Sequence, residues 1–149
     1  MILAIGGWHQ GSPTNHIEIF DLRSQKWSVI THLPDFVSET PRAYHSIVYA
    51  DLHLYFVGGY DGTNYFDKVR RYHIITRKWE DCSRMYKKRC YVSAAYMDGA
   101  IFACGGLDGQ NRLKCAERYE IKETGLFYLM YFGKNWGYFY TAYLLIAYW

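Results

Sequence analysis

The sequence predicts an all-β protein built from repeats of about 50 residues. Three glycine pairs each close a short apolar run: Gly6-Gly7, Gly58-Gly59 and Gly105-Gly106. An aromatic residue stands thirteen positions after the second glycine of each pair: Phe20, Tyr72 and Tyr119. A tryptophan stands twenty positions after it in the first two repeats, as Trp27 and Trp79, whereas Leu126 takes that position in the third. Short strands with this period are typical of a β-propeller, in which four-stranded sheets, or blades, are arranged around an axis.

Each predicted repeat contains up to four antiparallel strands. An apolar strand precedes each glycine pair, at residues 2–5, 53–57 and 100–104, and a partner strand is predicted at 44–49 and 91–96. A half-exposed third strand follows at 16–21, 67–73 and 114–121, and a fourth begins near Lys26 and Lys78. The repeats therefore lie near 1–31, 42–81 and 89–124, which is about two complete blades plus partial blades. The chain is expected to open at the second strand of a blade.

The residues that recur between repeats are expected to hold the blades together. The glycine pairs are expected in a crowded region that has no space for side chains and needs backbone angles that glycine adopts cheaply. Trp27 and Trp79 are expected to fill the space between neighbouring blades. Arg42 and Arg89 each stand sixteen residues before a glycine pair. This recurrence favours a structural role, with each arginine donating hydrogen bonds to backbone carbonyls between blades.

The candidate partner-binding residues lie in two sets of long loops. Polar loops are predicted after the glycine pairs, at residues 8–15, 60–65 and 107–112. Because antiparallel strands alternate in direction, these loops and the segments joining successive repeats are expected at the same end of the sheets. Long loops on a rigid scaffold carry recognition, and Tyr and Arg are common interface hot spots. The candidates from the two sets are Ser12, Asn15, Asn64, Tyr65, Asn111, Arg112, Tyr44 and Tyr91. The alternative, that these residues only complete turns, stays open, above all for Asn15 and Asn64.

No residue pattern indicates catalysis, a cofactor or a metal. The six histidines are scattered, and none stands beside a cysteine in a spacing that binds zinc. Asp61 and Asp108 occupy equivalent positions in two repeats, so they are expected to form turns rather than an acid–base pair. The net charge is +3, and no basic cluster is longer than residues 87–89, which argues against nucleic-acid binding. That cluster is expected to be a solvated turn between blades. The four cysteines form no C-x-x-C pair and no signal-peptide pattern is present, so we expect free thiols and a cytoplasmic protein.

Local segments of residues 2–124 resemble the kelch repeats of the kelch-like (BTB-BACK-kelch) family. The segments that carry this resemblance are Gly6-Gly7-Trp8, Gly11-Ser12-Pro13-Thr14-Asn15, Pro41-Arg42-Ala43-Tyr44-His45, Asn64-Tyr65-Phe66, Arg89-Cys90-Tyr91-Val92-Ser93 and Ala116-Glu117-Arg118-Tyr119-Glu120. The resemblance implies a partial kelch propeller whose loops capture a protein substrate for a cullin-3 ubiquitin ligase. In that family the BTB and BACK domains bind cullin-3, and this chain carries neither, so cullin-3 is expected as a partner only through domains absent here.

Residues 125–149 are different in composition. Eleven of these 25 residues are aromatic, and Lys134 is their only charged residue. Three interpretations compete for the segment. A transmembrane helix is disfavoured because Lys134-Asn135 interrupts the apolar run, so membrane insertion is not expected. The second interpretation is a fourth strand followed by part of another blade. The favoured interpretation is a non-homologous, aggregation-prone C-terminal tail with no packing partner.

The sequence as a whole predicts a protein–protein interaction module and not an enzyme. Two alternatives remain: an actin-binding cytoskeletal kelch protein, and a non-functional truncated kelch fragment. Because the repeats are too few to close a ring, terminal blades would expose apolar faces and unpaired strand edges. The isolated chain is therefore expected to be poorly soluble or partly unfolded.

Overall fold

The described secondary structure consists of strands in three antiparallel sheets. A computed structural model of the chain describes residues 2–30, 40–121 and 125–131. The first sheet contains β1 (Ile2–His9), β2 (Ser12–Asp21) and β3 (Lys26–Val29). The second contains β4 (Ser46–Ala50), β5 (His53–Val57), β6 (Val69–His73) and β7 (Lys78–Asp81). The third contains β8 (Ser93–Met97), β9 (Ala100–Cys104), β10 (Cys115–Glu120) and β11 (Phe127–Tyr131). This architecture confirms the predicted all-β partial propeller. In the part of the chain described, no helix is long and apolar enough to cross a bilayer.

Within each sheet the strands lie side by side in chain order. The first strand of a sheet forms one edge, here called inner, and the last strand forms the other edge, here called outer. The inner strands β4 and β8 lie against each other, and the Ala94 amide donates to the Ser46 hydroxyl across 3.1 Å. The outer strands β3 and β7 are mostly exposed to solvent. The second and third sheets therefore touch along their inner strands, and neighbouring sheets pack through their faces, as the blades of a propeller do.

The first hairpin is longer than the sequence predicted. Residues 8–15 were expected to form a polar loop, but β1 and β2 pair through Trp8↔Pro13 and His9↔Ser12. Only Gln10 and Gly11 remain in the turn, and both have a positive φ. The register of the pair shifts between Ile5 and Gly7, so the glycine pair forms an irregularity inside a continuous hairpin. The prediction of a long loop in this repeat is wrong.

The beginning of the predicted tail is a fourth strand. β11 pairs with β10 over Phe127–Tyr131, so the expectation that the tail has no packing partner is wrong for this segment. Tyr119 stands opposite Phe127, as Phe20 stands opposite Trp27 and Tyr72 opposite Trp79. Phe127, and not Leu126, is therefore the equivalent of the two tryptophans. The connection from Tyr119 to Phe127 is one residue longer than the connection from Tyr72 to Trp79. For this reason the position expected from the repeat falls on Leu126. Residues 132–149, which carry the rest of the predicted tail, lie outside the described residues.

Two apolar clusters lie between the sheets. The first joins Ile17 of the first sheet to Phe56 and Tyr72 of the second, with Trp79 packed against them. The second is larger and joins the opposite face of the second sheet to the third: Val48, Ala50, Tyr55, Val57, Val69, Val92, Ile101, Ala103, Tyr119 and Phe127. The core of this protein is thus a series of interfaces between neighbouring sheets, because alternate residues of each strand face opposite sides.

The recurring arginines connect successive repeats through their backbone as well as their side chains. Arg42 Nη1 donates to the Gly58 carbonyl at 3.0 Å and Arg89 Nη1 donates to the Gly105 carbonyl at 2.6 Å, so each side chain binds within its own repeat. The carbonyl of Arg42 accepts from the Gly7 amide at 2.9 Å, and that of Arg89 accepts from the Gly59 amide at 2.7 Å. The guanidinium groups were expected to link the blades, but the backbone carbonyls of Arg42 and Arg89 make that link.

A fully buried ion pair supports the third repeat. Arg89 and Glu117 are both 0% exposed, and the Nη2–Oε1 distance is 3.0 Å. The Glu117 carboxylate also accepts from the backbone amides of Tyr86, at 2.6 Å, and Lys87, at 3.0 Å. Arg89 was part of a cluster predicted to be a solvated turn, but its side chain is the largest fully buried one in the described part of the chain. Burial of a charge requires such compensation, because an unpaired charge in the interior is costly.

Candidate partner-binding site

The two sets of loops meet at one end of the sheets. Ala43, just after the recurring arginine, exchanges backbone hydrogen bonds of 2.8 Å with Tyr60, the residue after the second glycine pair. Cys90 and Leu107 are paired in the same way in the third repeat, with bonds of 2.9 and 2.8 Å. Each segment that enters a sheet is thereby fixed to the loop that follows the glycine pair of that sheet. The loops form a continuous surface, here called the loop face, and it is carried on paired strands.

Equivalent aspartates shape the loops of the second and third repeats. Asp61 Oδ1 accepts from the amides of Thr63 and Asn64, and Asp108 Oδ1 accepts from those of Gln110 and Asn111. The Asn111 and Gln110 amides hold the pKa of the Asp108 carboxyl below its usual value. These carboxylates are already engaged in turns, which confirms the prediction that they are turn formers. They are accordingly poor candidates for general bases.

Five aromatic side chains form a connected row across the loop face, here called the aromatic cluster: Tyr91, Tyr44, Trp8, Tyr60 and Tyr65. The ring centroids of Tyr44 and Tyr91 are 4.1 Å apart, and those of Trp8 lie 5.7 Å from Tyr44 and 6.3 Å from Tyr60. Tyr60 and Tyr65 continue the row at 4.7 Å. Trp8 is 44% exposed and Tyr91 45% exposed. Rigid, half-exposed aromatic side chains combine a large apolar area with a low entropic cost of binding.

Tyr44 and Tyr91 occupy equivalent and unfavourable backbone conformations. Their φ angles are 58° and 52°, in the left-handed region that bulky residues rarely adopt. The Tyr91 amide donates to the Tyr44 carbonyl at 2.8 Å, so the two residues form one ladder across neighbouring repeats. A hydrogen bond with the Tyr44 side chain, together with burial, raises the pKa of Tyr91 to about 12. The Tyr91 phenol is therefore protonated at neutral pH. Strain of this kind persists only where the surrounding structure enforces it, and it is frequent at functional sites.

The structure brings together most, but not all, of the residues proposed from the sequence. Tyr44, Tyr91 and Tyr65 belong to the aromatic cluster, and Arg112 is an exposed residue bridged to Leu107. Ser12, Asn64 and Asn111 occupy equivalent exposed positions, five residues after each glycine pair. The Asn64 and Asn111 amides complete the aspartate turns, so a structural role is observed for both. Asn15 lies apart, in β2, where it lines a narrow cavity between the first two sheets.

Tyr65 also has a visible structural role. A Cβ atom built on Gly109 would lie 3.0 Å from the Tyr65 ring, so the loops of the second and third repeats are in contact there. In the same way Gly62 of the second repeat approaches Pro13 of the first, where a Cβ would lie 3.6 Å away. Neighbouring loops therefore support one another, and the loop face is pre-formed.

Sequence reasoning missed two members of the aromatic cluster. Trp8 and Tyr60 both stand directly after a glycine pair, and Leu107 takes the same position in the third repeat. This recurrence was visible in the sequence, but the predicted 8–15 loop left the position of Trp8 undefined. Its stacking depends on the extended hairpin, which orders the residue opposite Pro13.

The charged groups beside the aromatic cluster are of both signs. A groove next to it is lined by Tyr86, Lys87, Lys88 and the Asp108–Gln110 turn, and Tyr86 is 68% exposed. Nearby, Arg112 adds a further positive charge. No group of three or more His, Cys, Asp or Glu side chains that could hold a metal ion occurs within residues 2–30, 40–121 and 125–131. The arrangement suits contact with another polypeptide through stacking and polar rim contacts.

Comparison with known proteins agrees with this architecture. The family model for the kelch motif matches residues 1–34, 41–86 and 88–124. The chain is 35% identical over 89 residues to "Kelch repeat-containing protein kel-10" of Caenorhabditis elegans, over 60% of this chain and 15% of that protein. It is 33% identical over 89 residues to "Kelch repeat and BTB domain-containing protein F47D12.7" of the same organism, again over 60% of this chain and 15% of the relative.

The match therefore spans only a small part of each relative. The three stretches matched by the family model contain β1–β3, β4–β7 and β8–β10 of the three sheets, and β11 follows the third stretch. The glycine pairs occur at the same position in each sheet, and the paired loops occur at the same positions in the second and third. This chain belongs to the family of kelch-repeat proteins.

Proposed function

We propose that this chain is a protein-interaction module that binds a protein substrate through its loop face. The observation that carries the proposal is the aromatic cluster, in which Tyr44 and Tyr91 are held in left-handed conformations with their rings stacked at 4.1 Å. Tyr91 is not needed to fill a core, because it is 45% exposed. Exposed, rigid aromatic rings on a pre-formed surface favour recognition of a polypeptide.

The wider role we propose is substrate recognition for a cullin-3 ubiquitin ligase adaptor in the cytoplasm. One relative carries a BTB domain in its name, which supports an adaptor architecture for the protein from which these repeats derive. The proposal also draws on the six segments of residues 2–124 that carry the family resemblance, which are similar to those of kelch-like protein 10. In this proposal the chain itself contacts the substrate, and cullin-3 is recruited only through BTB and BACK domains outside it.

The test is quantitative co-precipitation from cells with three forms of the chain. Tyr91→Asn removes the ring but keeps a residue that tolerates a positive φ, so the backbone is preserved. Ile75→Asn is the matched control: Ile75 is 68% exposed in the turn between β6 and β7, at the other end of the sheet. The Ile74 amide bonds to the Leu52 carbonyl there, beside the β4–β5 turn. We expect Tyr91→Asn to lose proteins that wild type and Ile75→Asn both retain. Equal recovery by all three forms would contradict the proposal.

Two further measurements separate the alternatives. Cullin-3 retained by residues 1–149 alone would contradict the proposal that it binds through other domains. Co-sedimentation with filamentous actin, unchanged by Tyr91→Asn, would favour the actin-binding alternative. If neither the wild type nor the variants recover any specific partner, the result would favour the alternative that the chain is a non-functional fragment.

A further inference from the structure

The middle of the aromatic cluster belongs to the second repeat, which has a neighbouring repeat on each side. Tyr44, Tyr60 and Tyr65 remain partly exposed although both neighbours are in place. The Trp8 ring lies between those of Tyr44 and Tyr60, at interplanar angles of 17° and 18°, so these three rings are stacked nearly parallel. Because the faces of the rings cover one another, their edges form the accessible surface of the cluster.

Two polar groups of the aromatic cluster are hydrogen-bond donors. The hydrogen bond between the Tyr44 and Tyr91 side chains raises the pKa of Tyr91, so the Tyr91 hydroxyl is its donor. The hydrogen of the Tyr44 hydroxyl is then left to donate to a ligand, and the indole nitrogen of Trp8 can only donate. Both carboxylate oxygens of neighbouring Asp61 already accept hydrogen bonds within its own turn. A ligand rich in acceptors and poor in donors complements this surface.

The backbone of the loop face is already paired, which limits how a peptide can bind. The Tyr91 amide donates to the Tyr44 carbonyl, and Ala43 exchanges two hydrogen bonds with Tyr60. A peptide that adds a strand needs unpaired amides and carbonyls along an edge, and these groups are taken. A bound helix needs an apolar groove, whereas the groove beside the aromatic cluster has polar and charged walls.

A proline-rich segment in the polyproline II conformation meets these requirements. Proline has no amide hydrogen, so the backbone of such a segment offers carbonyl acceptors to the Tyr44 hydroxyl and the Trp8 indole. Proline-rich segments bind aromatic-lined surfaces in a conformation that exists before binding, which lowers the entropic cost. The aromatic cluster is pre-formed as well, since Tyr44 and Tyr91 are fixed in left-handed conformations.

A basic turn lies at one end of the row of rings. Tyr65 approaches Gly109 of the third repeat, and that glycine lines a groove together with Lys87 and Lys88. The turn amides and the charge of Lys87 lower the pKa of Asp108 in the same groove, so Lys87 is engaged there. Lys88 is exposed and makes no ion pair with any residue that the structure describes. This turn therefore attracts an acidic group at the end of the ligand next to Tyr65 and repels a basic one.

We propose that the loop face binds a proline-rich segment of the substrate, with the prolines on the aromatic cluster and an acidic flank at Lys88. This inference names the substrate class and rests on the proposed function. The rings supply most of the affinity, because rigid aromatic side chains are the usual hot spots of an interface. The basic turn fixes the direction in which the segment lies.

The test is fluorescence anisotropy of three labelled peptides with the 149-residue chain. Eight prolines followed by three glutamates are expected to bind most tightly. The same prolines followed by three lysines should bind about 5- to 10-fold more weakly, because Lys88 repels them. Four Gly-Ser repeats followed by three glutamates keep the charge but lack the prolines, and they should bind about 100-fold more weakly.

Four variants assign the contacts. Tyr44→Asn removes the central ring but keeps a residue that tolerates a positive φ, and it should weaken both proline peptides about 10- to 100-fold. Tyr44→Phe removes only the hydroxyl donor and should weaken them about 3- to 10-fold. Lys88→Glu should reverse the order of the two proline peptides. Ile75→Asn, at the other end of the sheets, is the control and should change nothing. Circular dichroism verifies that each variant keeps the wild-type β-sheet signal.

The outcomes separate the substrate class from the proposed function. Gly-Ser binding as tight as proline binding, equal affinities of the two proline peptides, or proline binding unchanged by Tyr44→Asn would each overturn the inference. An unchanged order of affinities in Lys88→Glu would overturn it as well. If no proline peptide binds while Tyr91→Asn still removes partners in co-precipitation, the substrate class is wrong and the proposed function stands. If Tyr91→Asn removes none either, the proposed function fails with it.

Discussion

Replacement of Arg89 by methionine tests the role of the buried ion pair. Arg89 Nε and Nη2 bind the Glu117 carboxylate at 3.1 and 3.0 Å, and Nη1 donates to the carbonyls of Gly105 and Cys115 at 2.6 and 3.0 Å. Methionine keeps an unbranched side chain but supplies none of these donors. The substitution therefore leaves the Glu117 carboxylate buried with only the Tyr86 and Lys87 amides as partners.

The expected loss of unfolding free energy is large because the buried Glu117 carboxylate is left without its cationic partner. Removing one member of a buried ion pair costs about 3–5 kcal/mol of unfolding free energy. Arg42 is the matched control: it occupies the equivalent position and binds the Gly58 carbonyl at 3.0 Å, with its guanidinium 4.5 Å from the Phe66 ring centroid. The second sheet has Arg70 where the third has Glu117, so Arg42→Met leaves no buried carboxylate without its partner at this position. We expect it to cost about 1.5–3 kcal/mol, the value of a charged hydrogen bond.

The assay is urea unfolding of wild type and both variants, followed by tryptophan fluorescence. Arg89→Met should lose about 2 kcal/mol more than Arg42→Met. If Arg89→Met does not fold, amide hydrogen exchange of the wild type supplies a second measurement. The Tyr86 and Lys87 amides lie outside any strand, yet they should be protected because they donate to a buried carboxylate. Equal losses for the two variants, or rapid exchange at both amides, would refute the reasoning.

Three further predictions concern the backbone, pH and the thiols. Gly58→Ala would place a Cβ 2.2 Å from the Arg89 carbonyl oxygen at a φ of +65°, so it should lower the unfolding free energy by about 3 kcal/mol or more. In Gly11→Ala, the control, the Cβ meets nothing within 4 Å, and the loss should be about 1 kcal/mol. The urea midpoints of the two variants measure the difference. Burial and the charge of nearby Arg42 lower the pKa of His45 from 6.5 to about 4. The unfolded chain therefore binds a proton first on acidification, and unfolding free energy should fall by up to about 3 kcal/mol between pH 6.5 and 4, a loss that His45→Gln should lack. Burial raises the pKa of the Cys90 thiol to about 11 from 9.0, so native alkylation by iodoacetamide should be about 100-fold slower than in urea; equal rates would show that the site opens.

The repeat architecture could be predicted because its signals are local. A glycine pair and an aromatic residue thirteen positions later recur in all three repeats, and a tryptophan follows in the first two. The same local chemistry identified the turns of Asp61 and Asp108. Strands and tight turns are determined by short stretches of sequence, and these predictions needed no knowledge of distant contacts.

The features that sequence reasoning missed depend on contacts between distant residues. Glu117 pairs with Arg89, 28 residues away, and the composition of its strand gives no sign that it is fully buried. Phe127 was overlooked because a turn longer by one residue shifts its position, and only strand pairing shows its equivalence to Trp79. Trp8 joins the aromatic cluster because the first hairpin extends to the turn at Gly11. In each case tertiary pairing decided the role of a residue whose local signal was ambiguous.

The most direct test of the central claim is photo-crosslinking in cells with p-benzoylphenylalanine placed at single positions. Tyr91 reports on the loop face, and Ile75 reports on the opposite end of the sheets. The reactive carbonyl captures only groups in direct contact with the ring. The account predicts protein adducts from position 91 and none from position 75. Equal adducts from both positions, or none from position 91 in cells where partners co-precipitate, would contradict it.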